Sequence, residues 1–475
     1  MTATYDAEQV VAPLTTFAAL PDWLAAAMQP ERVAESLSRH VPPLSDGRLV
    51  LLACAPQRLR AKGSDWLARY QLTVAEPGGE PREVVLVGYL RPPGQPFPAG
   101  FGAEAVPMGV PGWHCVLPDL RLELHAQQRD EALPALETLE QPNAVARLLE
   151  PVLQQAGYVG ARITACEPVV VRYKPGSRCT VVVRLTYAAG CHGPSPVVVK
   201  THQGDKGQAA WAAMSALWQR PEGWWDAVRL AEPLGYLREQ RILVQGPVPE
   251  ELTLKELARQ TIARGDTISL ARLREELAKT ARALAAVHGS GASYARSATF
   301  QDELREVDEV VTRLSLSVPG LAAAAAPLLS GLRDGAAAVP ADAAVPAHHD
   351  FRPAQVLLHG GGVGFIDFDG AAMAEPALDL GRFRAKLRDI GISVLGLGEG
   401  PVAADRVEQN LRLLDDLCEH FLAEYLRHAE VSRDRVVLWE TCDLFTAVLH
   451  AWTKVRLARI EPRLRVLVHQ LRAVR

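Results

Sequence analysis

The sequence predicts an α+β protein whose sheet-forming and helix-forming stretches are segregated along the chain. Three observations lead there. Between residues 142 and 200, one helix is followed by β-branched runs around a Lys/Gly/Ser turn. From Thr253 onward, apolar residues recur at spacings of three and four, as in Leu270, Leu273, Leu277, Ala281, Leu284 and Val287. Between these regions and the C-terminus lies the run His348-His349-Asp350-Phe351-Arg352-Pro353-Ala354-Gln355-Val356-Leu357-Leu358. Three glycines and a second apolar strand then lead to Ile366-Asp367-Phe368-Asp369.

With 475 residues the chain is too long for one ordinary core, and two or three domains are expected. A hydrophobic fraction of 48% with a net charge of −4 describes a soluble globular protein, and nothing in that balance points to nucleic acid. The seven cysteines are odd in number and lack C-x-x-C spacing, so they read as reduced thiols rather than a disulfide framework or a zinc site. The N-terminus shows no basic stretch leading into an apolar segment. The Ala/Leu-rich run from Gly320 to Leu332 is broken by Pro327 and Gly331, short of a membrane span. The expectation is a cytoplasmic protein with no membrane or nucleic-acid partner, its oligomeric state open.

An internal repeat organises the first half. Gln29-Pro30, Val33-Ala34, Leu37, Ala53-Cys54, Pro56, Arg60 and Lys62 recur as Gln141-Pro142, Val145-Ala146, Leu149, Ala165-Cys166, Pro168, Arg172 and Lys174, at a constant offset of 112. After one inserted residue, Gly63-Ser64 and Leu72-Thr73 match Gly176-Ser177 and Leu185-Thr186. Each copy reads as a helix (Pro30 to His40; Pro142 to Gln155) followed by β-rich sequence. In the second copy, Val169 to Tyr173 and Thr180 to Tyr187 flank the turn Lys174-Pro175-Gly176-Ser177-Arg178, and a third strand ends at Lys200. In the first copy Val87 stands where Lys200 does. Residues 90–135 read as a Pro/Gly-rich bridge between the copies.

The run from His348 to Asp369, with Glu375-Pro376-Ala377-Leu378-Asp379-Leu380 after it, resembles the aminoglycoside-phosphotransferase-like branch of the protein-kinase fold, whose pattern reads roughly H-G-D-x-x-x-x-N, then a hairpin, then I-D. The resemblance implies a two-lobed, protein-kinase-like fold with an additional N-terminal domain that looks like a degenerate duplicate of the small lobe. The expected division is 1–135 for this cap, 136–250 for the small lobe and hinge, and 251–475 for a mostly helical large lobe. It also implies roles. Asp350 would be the base that receives a hydroxyl proton, Asp367 and Gln355 would hold Mg²⁺, and Lys200 would pair with the nucleotide phosphates. Ser177 and Arg178 on the Gly-containing turn would cover those phosphates, while Val244 and Gly246 in the hinge would offer backbone groups to adenine. Asp369 is a neighbour that could assist the metal through water.

The implied activity is ATP- and Mg²⁺-dependent phosphorylation of a hydroxyl on a small molecule: a sugar, amino sugar, aminoglycoside or amino alcohol. Three departures stand against the pattern. The helix from Gly207 to Trp218 carries no acid to hold Lys200, Gly246 stands where the family often has an acid, and Gln355 replaces Asn, as it does in maltokinase-like sugar kinases. The first and third of these, with the defective first copy, support the alternative of a catalytically inactive pseudokinase acting as a nucleotide-binding or scaffold module. Acids between 301 and 450 are read as candidates for contact with a cationic or hydroxyl-rich ligand, Glu440 and Asp443 first. One helix is expected from Val436 to Ile460. The basic residues Lys454, Arg456, Arg459, Arg463, Arg465 and Arg472 are read as a solvated face rather than an anion site.

Overall fold

The computed structural model describes residues 7–17, 19–97, 106–126, 130–219, 227–394 and 404–473. Helices α1 (Ala7–Thr15), α2 (Asp22–Ala26), α3 (Pro30–His40) and α4 (Pro42–Ser45) lead into a five-stranded antiparallel sheet. Its strands are β1 (Val50–Lys62), β2 (Asp65–Ala75), β3 (Arg82–Leu90), β4 (His114–Leu117) and β5 (Leu122–Ala126), in the order β1-β2-β3-β5-β4. The predicted bridge over 90–135 is therefore corrected where it is described: it contributes β4 and β5, and the alternation along Leu122–Ala126 buries one face of the strand. Residues 98–105 and 127–129 of that stretch lie outside the described residues.

Helices α5 (Leu136–Leu139) and α6 (Pro142–Gln155) precede a second five-stranded sheet. It is built from β6 (Ile163–Lys174), β7 (Arg178–Tyr187) and β8 (Val197–His202). Helix α7 (Lys206–Trp218) and the short strand β9 (Arg229–Leu230) follow, and then β10 (Pro233–Leu237) and β11 (Ile242–Gln245) complete the sheet in the order β10-β11-β8-β7-β6. Read from the long hairpin inward, the two sheets share one strand order. The irregularity between Leu51 and Ala53 recurs 112 residues later between Ile163 and Ala165, and bulges are placed features of a sheet rather than noise. Both hairpin tips turn through a glycine in the left-handed region, Gly63 at φ 63° and Gly176 at φ 66°, a conformation glycine adopts at little steric cost.

The ladder changes one assignment. Thr180 pairs with Lys200, and Leu67, its counterpart in the repeat, pairs with Tyr89. Tyr89, not Val87, thus stands in the place of the lysine, because the link between the second and third strands is two residues shorter in the second copy.

The remainder is mainly helical. Strand β12 (Leu252–Thr253) leads into α8 (Leu254–Arg264), opened by a Thr253/Glu256 capping box, and α9 (Thr267–His288), α10 (Phe300–Ser315) and α11 (Leu321–Ala338) follow. Four short strands, β13 (Val345–Ala347), β14 (Val356–His359), β15 (Gly362–Phe365) and β16 (Ala372–Ala374), frame the acidic loop. Helices α12 (Ala377–Val394), α13 (Ala404–Tyr425), α14 (Arg433–Thr453) and α15 (Ile460–Ala473) close the chain.

The second sheet has a core of its own, including Val145, Leu149, Val181, Val199 and Val244. The first sheet instead shares one continuous core with the helices, and Trp66 Nε1 donates to Ser317 Oγ at 2.7 Å across that junction. No helix among the described residues is long and apolar enough to cross a membrane.

The single helix expected from Val436 to Ile460 is two. Helix α14 stops at Thr453, and Val455 takes φ 52° before α15 begins. A β-branched residue in this region is strained, at a cost on the order of 1–3 kcal/mol, and persists only where its surroundings hold it. The break places Lys454 and Arg456 at the wall of the cavity described below.

Candidate functional site

The acidic loop is fixed by one buried carboxylate. Asp379, with no exposed surface, accepts from the His348 N–H at 2.6 Å and the His349 N–H at 2.8 Å, and from His288 Nε2 at 3.1 Å. Burial alone would raise its pKa. Hydrogen bonding from His288, with the nearby imidazole of His348, outweighs burial and holds the carboxyl below its ordinary value. The other ring nitrogen of His288 meets the Tyr425 hydroxyl at 2.8 Å, so this histidine is structural. His348 Nε2 reaches the Ile366 carbonyl at 2.9 Å and ties the loop to the strand that carries Asp367. His349 takes φ 68°, and burial together with Arg382 and Arg296 pushes its imidazole down to about 3.

Asp350 follows with its carboxylate partly open. Its Oδ2 accepts from Gln355 Nε2 at 3.1 Å and lies 3.1 Å from Arg352 Nη2. Among the described residues, Oδ1 has no partner. The other end of the Gln355 amide is more telling: Oε1 is buried and has no hydrogen-bond partner. A buried acceptor left unmade costs about 1–3 kcal/mol, so this oxygen points to a missing donor or cation.

Asp367, at φ 73°, and Asp369 face the second sheet. Lys200 Nζ lies 2.8 Å from Asp367 Oδ1 and 3.2 Å from Asp369 Oδ1. Arg178 Nη1 lies 3.1 Å from Asp369 Oδ2 and 3.5 Å from Asp367 Oδ1, and His202 Nε2 adds 2.8 Å to Asp369 Oδ2. Burial works against both charges, yet the pairing wins. Lys200 is held above its ordinary value by Asp369 and Asp367, and Asp369 is held well below its own by Lys200 and His202.

These contacts answer what holds Lys200. Helix α7 carries no acid, and the group that holds the lysine is the Asp367/Asp369 pair itself. Asp369 is a direct ion-pair partner of three basic side chains rather than an outlying acid. His202 had no signal in the sequence beyond its place two residues after Lys200. Arg172, also unforeseen as a member of this site, lies within electrostatic reach of Asp367 and Asp350.

At the expected hinge the backbone is partly taken up by the protein itself. Val244 sits in β11 between β10 and β8, opposite Gly235 and Val199, so the sheet takes up its backbone groups. The Gly246 N–H donates to the Glu232 carbonyl at 2.8 Å. Pro247 and Pro249 have no N–H, which leaves Val248 as the donor that segment can offer. At the turn, Ser177 is internally bonded through its N–H to the Lys174 carbonyl at 3.1 Å, and its own carbonyl accepts from the Gln203 N–H at 2.8 Å. The Gly176 N–H meets the Asp130 carboxylate at 2.8 Å.

Among the described residues no group of three or more His, Cys, Asp or Glu side chains forms a metal cage. The donor set is the two carboxylates and the orphaned Gln355 Oε1. It fits Mg²⁺, which commonly takes one or two carboxylates and fills its other positions with water and phosphate oxygens.

A cavity of about 710 Å³ opens beside Asp350 and Arg352, walled by α8, α10, α12 and α14 and by the chain beyond α14, within the range of small-molecule sites. It corrects two expectations. Glu440 is fully buried, 2.6 Å from both Arg384 Nε and Arg388 Nε, and Asp443 is bound to Arg382 Nε at 3.1 Å and to Lys386. Neither acid is free for a ligand, because α12 presents a row of cations to α14. Of the C-terminal basic residues read as a solvated face, Arg463 is buried, while Lys454, Arg456 and Arg459 are exposed and also line the cavity.

Residues 228–396 match the family model described as the phosphotransferase enzyme family. No curated protein sequence matches the chain. Among solved structures, a glucosamine kinase in complex with glucosamine, ADP and inorganic phosphate is 17% identical over 93% of this chain and 98% of that chain, with a TM-score of 0.46. A choline/ethanolamine kinase family protein from Mesorhizobium loti is 16% identical over 70% of this chain and 99% of that chain, at 0.41. The choline kinase LicA from Streptococcus pneumoniae is 12% identical over 69% and 99%, at 0.43. The segment that matches this family's model, 228–396, is the one that carries Asp350, Gln355, Asp367 and Asp369.

Proposed function

We propose that this protein transfers the γ-phosphoryl group of ATP to a hydroxyl of a small molecule. The observation that carries the reading is the convergence of Lys200 and Arg178 from the second sheet on Asp367 and Asp369, next to a loop that leaves Asp350 Oδ1 open. In this reading Lys200 and Arg178 exchange carboxylate partners for phosphate oxygens when the nucleotide enters. Asp367 and Gln355 Oε1 would hold Mg²⁺, which when bound neutralises charge on the phosphates. Asp350 accepts the acceptor's hydroxyl proton as the new O–P bond forms and the bond to the bridging β,γ-oxygen breaks, and ADP departs. The transition state is loose, so positioning matters more than basicity at Asp350.

The test is an ADP-release screen over neutral, cationic and anionic hydroxyl compounds with wild type and Asp350→Asn. The reading expects acceptor-dependent ADP release that Asp350→Asn lowers at least about 100-fold, the lower end of what a general base contributes, while Mg·ATP binding stays within a few-fold. Equal turnover in both proteins would remove Asp350 as the base. Nucleotide binding with no acceptor-dependent turnover across the panel would favour the inactive scaffold.

A further inference from the structure

The cavity beside Asp350 carries an excess of positive charge that the protein itself does not neutralise. Its wall holds nine Lys and Arg side chains against five Asp and Glu. Four of the acids are already paired: Glu303 and Asp443 with Arg382, Asp389 with Arg463, and Asp350 with Arg352. Five cations, Lys255, Arg259, Lys454, Arg456 and Arg459, have no acidic partner among the described residues, and only Glu306 remains to set against them.

They reach the cavity from two sides, the first two on α8 and the other three on the segment after α14. Lys454 is pushed down to about 8, by loss of solvent first and then by Arg456, Lys386, Lys174 and Arg463. Like charges held this close repel one another, and a bound anion would relieve that repulsion. Three of the five are arginines, whose planar forks match phosphate and carboxylate oxygens in pairs.

We propose that the acceptor is an anionic hydroxyl compound, carrying its own phosphate or carboxylate, which the Lys454/Arg456/Arg459 segment and α8 grip while Asp350 faces its hydroxyl. This deepens the phosphotransferase reading and rests on it for the hydroxyl. The anion site itself is independent of turnover. A cationic acceptor is disfavoured on the same ground, since an ammonium would enter a field of its own sign. In the phosphotransferase reading Mg·ATP is held by Lys200 and Arg178, neither of which lines this cavity.

The test uses one carbon skeleton in four charge states: glucose 6-phosphate, gluconate, glucose and glucosamine, with inorganic phosphate as a fifth probe. Each is titrated calorimetrically into wild type and into the Lys454→Ala/Arg456→Ala/Arg459→Ala variant, and Mg·ATP is titrated separately. All three residues are exposed, so the variant is expected to fold, and an unchanged thermal midpoint checks that. If it fails to fold, wild type at 50 and 300 mM salt carries the same test. The expected result is that the anionic probes bind wild type at least 10-fold more tightly than glucose or glucosamine, and that the variant or the higher salt removes most of that preference. Mg·ATP affinity should stay within about 3-fold in the variant. The relative affinities of glucose 6-phosphate, gluconate and inorganic phosphate separate a phosphate-bearing from a carboxylate-bearing acceptor.

Tighter binding of glucosamine or glucose would overturn the anion site and leave the kinase reading standing. So would failure of all three anions to bind. Failure of Mg·ATP to bind would instead strike the phosphotransferase reading, with the anion titrations still interpretable by themselves.

Discussion

Asp379→Asn changes one atom in a fully buried side chain and should disable the acidic loop. In the wild type the carboxylate accepts two backbone N–H groups, at 2.6 and 2.8 Å, and His288 Nε2 at 3.1 Å. Hydrogen bonds to a charged group contribute about 1.5–3 kcal/mol each. An asparagine oxygen can keep one or two of them, while its NH₂ must face a donor. The expected loss is about 2–4 kcal/mol, which at roughly 2–4 °C per kcal/mol lowers the midpoint of the helical part by about 5–15 °C. The loop would also drift, and a misplacement of about 1 Å can cost 100-fold in rate. Calorimetry and an ADP-release assay below the lowered midpoint check this together: kcat should fall about 100-fold while Mg·ATP affinity changes only several-fold. A midpoint and kcat both equal to wild type would refute the argument that Asp379 sets the loop.

Three other perturbations follow from the same contacts. Gln355→Asn shortens the arm between Asp350 and the orphaned oxygen, so kcat should drop at least 10-fold and the Mg²⁺ requirement rise; full activity in both Gln355→Asn and Gln355→Ala would remove it as a metal ligand. Glu440→Gln leaves the buried guanidiniums of Arg384 and Arg388 without their shared charge and should cost about 3–5 kcal/mol, read as a lowered denaturant midpoint; a surface-like change below about 0.5 kcal/mol would contradict the burial argument. Acidification should destabilise the protein in two stages. His349 is held to about 3, below its unfolded 6.5, so the unfolded chain binds the extra proton and stability falls as pH drops from 6.5 toward 3. Asp369, Asp379 and Asp443 have lowered folded values, so their contribution is present above about 4 and is lost as pH falls through those values. Thermal midpoints that stay flat from pH 7.5 to 4.5 would contradict the first stage.

The acidic loop was legible because its chemistry sits in one short run, where spacing alone puts Asp350 and Gln355 just before the β14–β15 hairpin and Asp367 just after it. Helices α3 and α6 and the long hairpins were legible from periodicity, and the repeat pointed to two similar sheets. What sequence could not give was any pairing across the chain. The Lys200–Asp369 contact joins residues 169 apart, and nothing near either residue announces the other. Glu440 and Asp443 looked like ligand-binding acids because the cations that neutralise them, Arg382, Arg384, Lys386 and Arg388, lie on a different helix. Arg463 looked solvated for the converse reason, since its partner Asp389 lies on α12. A periodic pattern gives the buried stripe of α14, but the break at Val455 is a local backbone conformation that no periodicity predicts.

The central claim is that Lys200, Arg178, Asp367 and Asp369 form a Mg·nucleotide site, and direct titration tests it most simply. Mg·ATP titrated into wild type should bind with a stoichiometry of one, weaken sharply when Mg²⁺ is withdrawn, and lose at least about 100-fold in affinity, equivalent to about 2.7 kcal/mol, in both Lys200→Ala and Asp367→Ala. No heat of binding to folded wild-type protein, with or without Mg²⁺, would contradict the account at its base.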